Sequence, residues 1–267
     1  MQNRLTTVPA DYSGKADMGI FTPRVGLVVT PFKNLNIFAN KGMGLRSPAA
    51  SEMSPNTPLR AKNLDLKPAK VHSWDAGFNT TLFEKLYLAF SYYQTEMEKE
   101  IRIVGNNTNI GDSKRNGYEV ETKFFATPEL ALFANYSWLD AEWKDPVVAG
   151  QKPGQYKIAD LPEHLISGGI EVTKQTGKDS KLLLDLYYSY IGSGPYYVGT
   201  ETTPRKTPVY DRYTAKATYK LKNWSTFVSI IYQPREYSSD GMFSSGGFVN
   251  FNPKPAWDVT AGVKYQF

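Results

Sequence analysis

The chain closes on Trp257-Asp258-Val259-Thr260-Ala261-Gly262-Val263-Lys264-Tyr265-Gln266-Phe267, and the alternation in this stretch decides the fold. Trp257, Val259, Ala261, Val263, Tyr265 and Phe267 fall on one side of an extended chain; Asp258, Thr260, Gly262, Lys264 and Gln266 fall on the other. A period of two is the period of a β-strand. A slip of one residue would move charge into the apolar face, so alternation without a slip specifies register. It also implies that one face meets something strictly apolar.

The same pattern recurs upstream. Trp74, Ala76, Phe78, Thr80 and Leu82 interleave with Ser73, Asp75, Gly77, Asn79 and Thr81. Leu86, Leu88, Phe90 and Tyr92 lie opposite Ala89, Ser91 and Thr95, with Tyr87 and Tyr93 as amphipathic exceptions. Tyr118, Val120, Thr122 and Phe124 alternate with Gly117, Glu119, Glu121 and Lys123. About eleven strands are expected, near 22–31, 35–43, 70–83, 85–97, 115–126, 129–140, 163–174, 181–192, 209–221, 224–233 and 256–267. Several reach the roughly 9 to 11 residues that cross a bilayer at a tilt.

Connection lengths carry a second signal. The joins at 31–34, 83–85, 126–129, 174–180 and 222–223 are short, whereas those at 45–66, 98–114, 141–162, 193–208 and 234–255 are long. Short and long take strict turns. A soluble sandwich or solenoid also has alternating strands, but nothing in it ties loop length to one end of the sheet. An outer-membrane barrel has short periplasmic turns and long extracellular loops. With a periplasmic C-terminus, every long loop falls outside. Tyr87, Tyr136, Trp138, Tyr188, Tyr190, Trp257 and Tyr265, near strand ends, suit the aromatic girdles of such a barrel. The reading is therefore all-β, an antiparallel meander of about eleven transmembrane strands.

Composition agrees and excludes other classes. No run approaches the roughly 20 apolar residues of a membrane-spanning helix, and the mean hydropathy of −0.43 is ordinary for a chain whose alternate residues face lipid. There is no cysteine, which removes disulfides and thiolate sites and fits passage through an oxidising compartment. The net charge of +5 is scattered, with no basic block or nucleic-acid motif. Met1 to Lys15 has no apolar core of the kind a signal peptide needs. The two histidines, His72 and His164, have no metal-ligand spacing and read as structural. Glu119 and Glu121 share the polar face and read as solvated rather than as an acid–base pair. No phosphate loop, nucleophile elbow or kinase signature occurs, so no catalytic residue, metal site or cofactor is expected.

Several stretches resemble the TonB-dependent outer-membrane receptors, especially those for ferric siderophores. They are Pro23-Arg24-Val25-Gly26-Leu27, Asn34-Leu35-Asn36-Ile37-Phe38-Ala39-Asn40, and Gly44-Leu45-Arg46-Ser47-Pro48 followed by Glu52-Met53. Glu119-Val120-Glu121, Ala134 to Ala141, Leu161-Pro162-Glu163-His164 and the terminal Tyr265-Gln266-Phe267 are similar to later landmarks of that family. The resemblance implies that residues 1–267 form part of a 22-stranded barrel, its C-terminal half, without the plug, the TonB-coupling segment and the N-terminal strands. It implies a bacterial outer-membrane location and contact with outer-membrane lipid. It also implies a ferric siderophore or other chelate as ligand and the TonB complex as partner through the absent N-terminal region. Tyr265 and Phe267 resemble the signal read by the barrel assembly machinery.

On that reading the long loops capture ligand. Arg46, Tyr196, Tyr197, Arg205, Tyr237 and Phe243 offer guanidinium groups and aromatic faces, and flat anionic chelates bind these by stacking and charge-assisted hydrogen bonds. The structural alternative is that loop aromatics pack on one another and close the barrel mouth. A passive porin would not need the receptor-like loop around Arg46. An outer-membrane enzyme should show a clustered nucleophile or acid pair.

Overall fold

Alternating apolar residues pair neighbouring strands so that their greasy positions meet, and the register propagates that match across the molecule. The computed structural model describes residues 21–53, 63–104, 106–109, 111–146, 151–234, 237–245, 248–253 and 255–266, with side chains left undescribed at 102–107 and 237–253. The chain runs β1 (Arg24–Phe32), β2 (Leu35–Arg46), one helical turn α1 (Ala50–Met53), β3 (Ala69–Leu82), β4 (Leu86–Glu98), β5 (Ile101–Val104) and β6 (Asn106–Asn109). It continues with β7 (Ser113–Thr127), β8 (Leu130–Trp143), β9 (His164–Gly177), β10 (Ser180–Ile191), β11 (Pro195–Tyr196) and β12 (Arg205–Lys206). The last elements are β13 (Tyr210–Leu221), β14 (Trp224–Tyr232), β15 (Tyr237–Ser245), β16 (Phe248–Pro253) and β17 (Trp257–Tyr265). Eleven strands form one antiparallel sheet in the order β1-β2-β3-β4-β7-β8-β9-β10-β13-β14-β17. This is the expected meander.

The differences lie at the long-loop rim. β2 and β8 each run three residues beyond their expected ends, to Arg46 and Trp143, and β7 begins at Ser113. The ladder simply continues: Arg46 lies opposite Ala69, and Ser113 opposite Trp143. Three of the long connections also fold back as two-stranded sheets, β5-β6, β11-β12 and β15-β16. At the opposite rim the joins are tight. Phe83 and Glu84 both take positive φ (52° and 56°), and the Lys85 N–H donates to the Leu82 carbonyl at 3.0 Å. Left-handed residues in a hairpin turn match the twist of the flanking strands.

Directly opposed residues share a face, so the pairing traces each face row by row. Ile37, Phe78, Phe90, Val120, Tyr136, Ile166 and Tyr190 form one continuous row. The other face is polar: Asn40 donates to Asp75 at 2.9 Å, Asn36 to Asn79 at 3.0 Å, Asn135 to Ser167 at 3.2 Å, and Lys123 pairs with Glu171 at 2.7 Å. This polar wall also carries repeated aromatic–glycine pairs across strands, Phe38 on Gly77, Tyr93 on Gly117, Phe133 on Gly169 and Phe227 on Gly262. At Gly77 a Cβ would lie 2.1 Å from the Phe90 carbonyl oxygen and 2.8 Å from the Phe38 ring, so the ring lies where a side chain would stand. Such pairs shield glycine backbone in curved sheets.

Among the described residues no second layer covers the apolar face. Val25, Val259 and Val263 are each about 70% exposed (71%, 67% and 70%), and among the described residues Leu66, Ala69 and Ser113, all buried to 1% exposure or less, sit at the long-loop rim. An uncovered apolar surface of this extent would aggregate in water; facing hydrocarbon, it is solvated. Among the described residues β1 and β17 each pair on one side only. In a bilayer each unpaired backbone group costs several kcal/mol, so these edges require strand partners such as a closed barrel supplies.

Placing Arg at Val120, mid-row on the apolar face, is expected to cost about 2–4 kcal/mol in a lipid-vesicle unfolding titration of the folded barrel. Lys123→Gln removes a half-exposed ion pair on the polar face and should cost about 1 kcal/mol or less. Equal costs would contradict the facing assignment.

Candidate functional site

The five long connections, 47–68, 99–112, 144–163, 192–209 and 233–256, are called loops A to E. Polar side chains bind neighbouring loops to one another. Asn109, at the end of β6, donates from Nδ2 to the carbonyls of Lys67 (2.7 Å) and Lys99 (2.9 Å), and its Oδ1 accepts the Lys67 N–H at 2.7 Å. One amide thus staples loop A to loop B. Between loops B and C, the Lys144 N–H donates to the Asp112 carbonyl at 2.8 Å, and Lys144 Nζ reaches Glu96 on β4 at 2.8 Å. That hydrogen bond to Glu96 raises the Lys144 pKa above the usual lysine range.

Loops C and D are joined most extensively. The Lys157 N–H donates to Tyr197 Oη at 3.0 Å, Gln155 Nε2 donates to the Glu201 carbonyl at 2.8 Å, and the Asp160 N–H donates to the Pro195 carbonyl at 3.0 Å. Lys157 also turns its ammonium onto Asp140 and, at 2.9 Å, onto Glu142 at the end of β8. Burial works to lower its pKa, but hydrogen bonds to the two carboxylates prevail and raise it. Burial raises the Asp160 carboxyl. Inside loop D, Gly194 and Thr207 close a reciprocal pair, Gly194 N–H to Thr207 Oγ1 at 2.8 Å and Thr207 N–H to the Gly194 carbonyl at 2.9 Å.

This frame presents part of the residue set expected from the sequence. Tyr196 lies directly opposite Arg205 in the β11-β12 ladder, with Tyr197 next to it. Arg205 forms a bidentate pair with Glu201, Nε to Oε2 at 2.9 Å and Nη2 to Oε1 at 2.6 Å, while its side chain stays 55% exposed. The guanidinium holds the Glu201 carboxyl below the usual carboxylate range. Tyr197 spends its hydroxyl on bracing loop C.

Arg46 is the last residue of β2, not a loop residue, and sits several strands away from this group. Its Nη2 donates to Glu52 Oε1 at 2.6 Å, and Glu52 Oε2 accepts the Ala49 N–H at 2.8 Å. Tyr237 and Phe243 belong to β15, opposite Pro253 and Asn250 in the ladder, and their side chains lie outside the described residues. Tyr265 packs its ring 4.8 Å from Trp224 on the apolar face, and Phe267 lies outside the described residues. His164 shares a 2.8 Å hydrogen bond with Tyr136 Oη, and His72 lies 3.4 Å from Glu98. Glu119 and Glu121 line a groove of about 670 Å³ with Asn135, Ser137, Ser167 and Ser189, chiefly on the polar face.

Asn109, Gln155, Lys157 and Glu201 were not found by sequence reasoning. Their partners are backbone groups or side chains of other loops, and no local pattern announces such contacts.

An eleven-stranded meander with an uncovered apolar face, short turns at one rim and long loops at the other has the form of part of an outer-membrane β-barrel wall. The family described as TonB dependent receptor-like, beta-barrel matches residues 2–231, and the chain belongs to it. A probable TonB-dependent receptor, BfrD of Bordetella pertussis, is 23% identical over 225 residues, covering 78% of this chain and 28% of that protein. Among solved structures, the ferric yersiniabactin uptake receptor FyuA from Yersinia pestis superposes with a TM-score of 0.71 at 12% identity, over 91% of this chain and 37% of that one. The FrpB iron transporter from Neisseria meningitidis gives 0.68 at 16% identity, over 92% and 39%. The chain thus spans well under half the length of these relatives. It supplies part of the outer-membrane β-barrel of a TonB-dependent receptor-like protein.

Glu52 gives this region a pH dependence. Burial alone would raise its pKa, but hydrogen bonds from Arg46 and Ala49 prevail and hold it below the usual carboxylate range. A depressed folded-state value stabilises the turn above the unfolded pKa and is lost as pH falls through the folded value. Hydrogen exchange should therefore show the Ala49 amide protected at neutral pH and losing protection only below the usual carboxylate range. In the variant Glu52→Gln that pH step should disappear.

Proposed function

We propose that the complete protein is an active-uptake receptor that binds a ferric siderophore or a similar metal chelate on its extracellular loops and imports it with energy from TonB. The supporting observation is loop D. Its β11-β12 ladder, braced by loop C, holds the Tyr196 ring opposite an exposed Arg205 guanidinium. A guanidinium beside an aromatic face suits a planar anion, which it can bind by paired charge-assisted hydrogen bonds and by stacking. Tyr197 beside them, Tyr237 and Phe243 in loop E, and Arg46 at the end of β2 complete the proposed contact set. The relatives named for ferric yersiniabactin uptake and iron transport support the same ligand class.

On this reading the chelate crosses unchanged, and the chain contributes no catalytic step and no cofactor. The TonB complex engages a segment N-terminal to the barrel, beside a plug that fills the lumen against the polar wall of Lys123, Glu171, Asn135 and Ser167. Tyr265, with Phe267, serves as the terminal signal for the barrel assembly machinery.

Radiolabelled iron bound to a panel of chelators, supplied to receptor-deficient cells expressing the complete gene product, tests the proposal. Accumulation should saturate, and collapsing the proton gradient should abolish it. Arg205→Ala should weaken capture by roughly 10- to 100-fold, the worth of a hydrogen bond to a charged group. Unsaturable accumulation that survives a protonophore would show a passive channel instead.

A further inference from the structure

The apolar face carries a groove near the long-loop rim. One row of the ladder places Gly168, Tyr188, Tyr213, Tyr232 and Trp257 side by side. The four aromatic rings form a continuous ridge, with successive centroids 5.0, 6.1 and 4.4 Å apart. Two residues further from the rim, the next row sets small Ala215 between Leu186 and Ile230. Beside the ridge, where Gly168 and Ala215 have little or no side chain, a groove of about 600 Å³ opens. That volume is in the usual range of ligand sites, roughly 300–1,000 Å³.

The chemistry of the groove selects hydrocarbon. Tyr188 donates its hydroxyl to Asp211 at 2.8 Å, so it makes no demand on an occupant. The remaining surface is mainly aromatic ring and aliphatic side chain, with tyrosine and threonine hydroxyls among the few polar side-chain groups of the residues that line it. The groove continues the face that the barrel presents to the bilayer, and it lies where β10 and β14 end and β13 and β17 begin, beside loops D and E. That is the depth of the outer leaflet. An empty groove would forfeit dispersion contacts along both banks, and water finds few partners on so apolar a lining.

We propose that this groove holds one fatty-acyl chain of an outer-leaflet lipid as a retained ligand, exchanging far more slowly than the lipid around the rest of the barrel. The proposal rests on the membrane-facing assignment and is independent of the transported ligand.

Native mass spectrometry of the protein extracted from outer membranes in mild detergent tests it. The native protein should carry one acyl lipid per chain. Ala215→Phe fills the groove floor and should lower that occupancy at least tenfold, whereas Ala76→Phe, on the same face but remote from the groove, should leave it unchanged. Equal retention by the native protein and Ala215→Phe, equal loss in Ala76→Phe, or a lipid-free dimer that Ala215→Phe splits would each overturn the proposal. A second measurement needs no variant: a lipid with a photoactivatable diazirine in its acyl chain should label Leu186, Ala215 and Ile230 at least tenfold more than the wall around Ala76. Even labelling around the barrel would overturn it as well.

Discussion

Hydrocarbon offers no hydrogen bonds, so every backbone N–H and C=O that crosses a bilayer must be satisfied within the protein. The rest of this structure depends on that constraint. It explains why eleven strands pair in sequence order and why the β3-β4 ladder runs from Lys70–Glu98 to Leu82–Leu86 without a shift. The few irregularities recorded in the main sheet fall at short-turn ends, near Phe32, Phe125 and Ser180. Register then fixes facing. Because opposed residues share a face, holding Val120 opposite both Phe90 and Tyr136 also holds Glu119 and Glu121 on the lumenal side.

The same logic explains a protein with almost no conventional core. The wall is one sheet thick; lipid solvates one face, and the other carries paired polar groups such as Lys123 with Glu171. Close packing is concentrated where the barrel leaves the membrane, around Leu66, Ala69, Ile101, Ala141 and Trp143. There the loops have to hold their own shape, and polar staples such as Asn109 and Gln155 join one loop to the next. Loops A to D therefore form a braced set rather than independent loops. Arg205 and Tyr196 owe their fixed relative placement to that bracing.

Most of the wall was legible in the sequence because its information is local. Alternation at Trp257 to Tyr265 or Tyr118 to Phe124 declares both strand and face, and the strict succession of short and long joins declares which rim is which. Strand ends went wrong where pairing outlasts the alternation signal, at Arg46 and Trp143, whose partners Ala69 and Ser113 are distant in sequence. Loop hairpins were missed for the same reason. Pro195 and Tyr196 form too short a run to read as a strand, and they become one only by meeting Arg205 and Lys206. Of the candidate site, the sequence indicated Tyr196, Tyr197 and Arg205, which the fold brings together, but not Glu201 or Lys157, which set their geometry. Arg46 was picked from a resemblance in its loop; in the fold it bonds to Glu52.

The central claim is that a single unbroken register presents one face to lipid and the other to the lumen. The chain has no cysteine, so single substitutions from Tyr118→Cys to Phe125→Cys along β7 permit spin-label scanning in the reconstituted barrel. Accessibility to oxygen, which partitions into hydrocarbon, and to a polar nickel chelate should oscillate out of phase with a period of two. Oxygen should peak at Tyr118, Val120, Thr122 and Phe124. Loss of that period, or nickel maxima at Val120 and Thr122, would contradict the account.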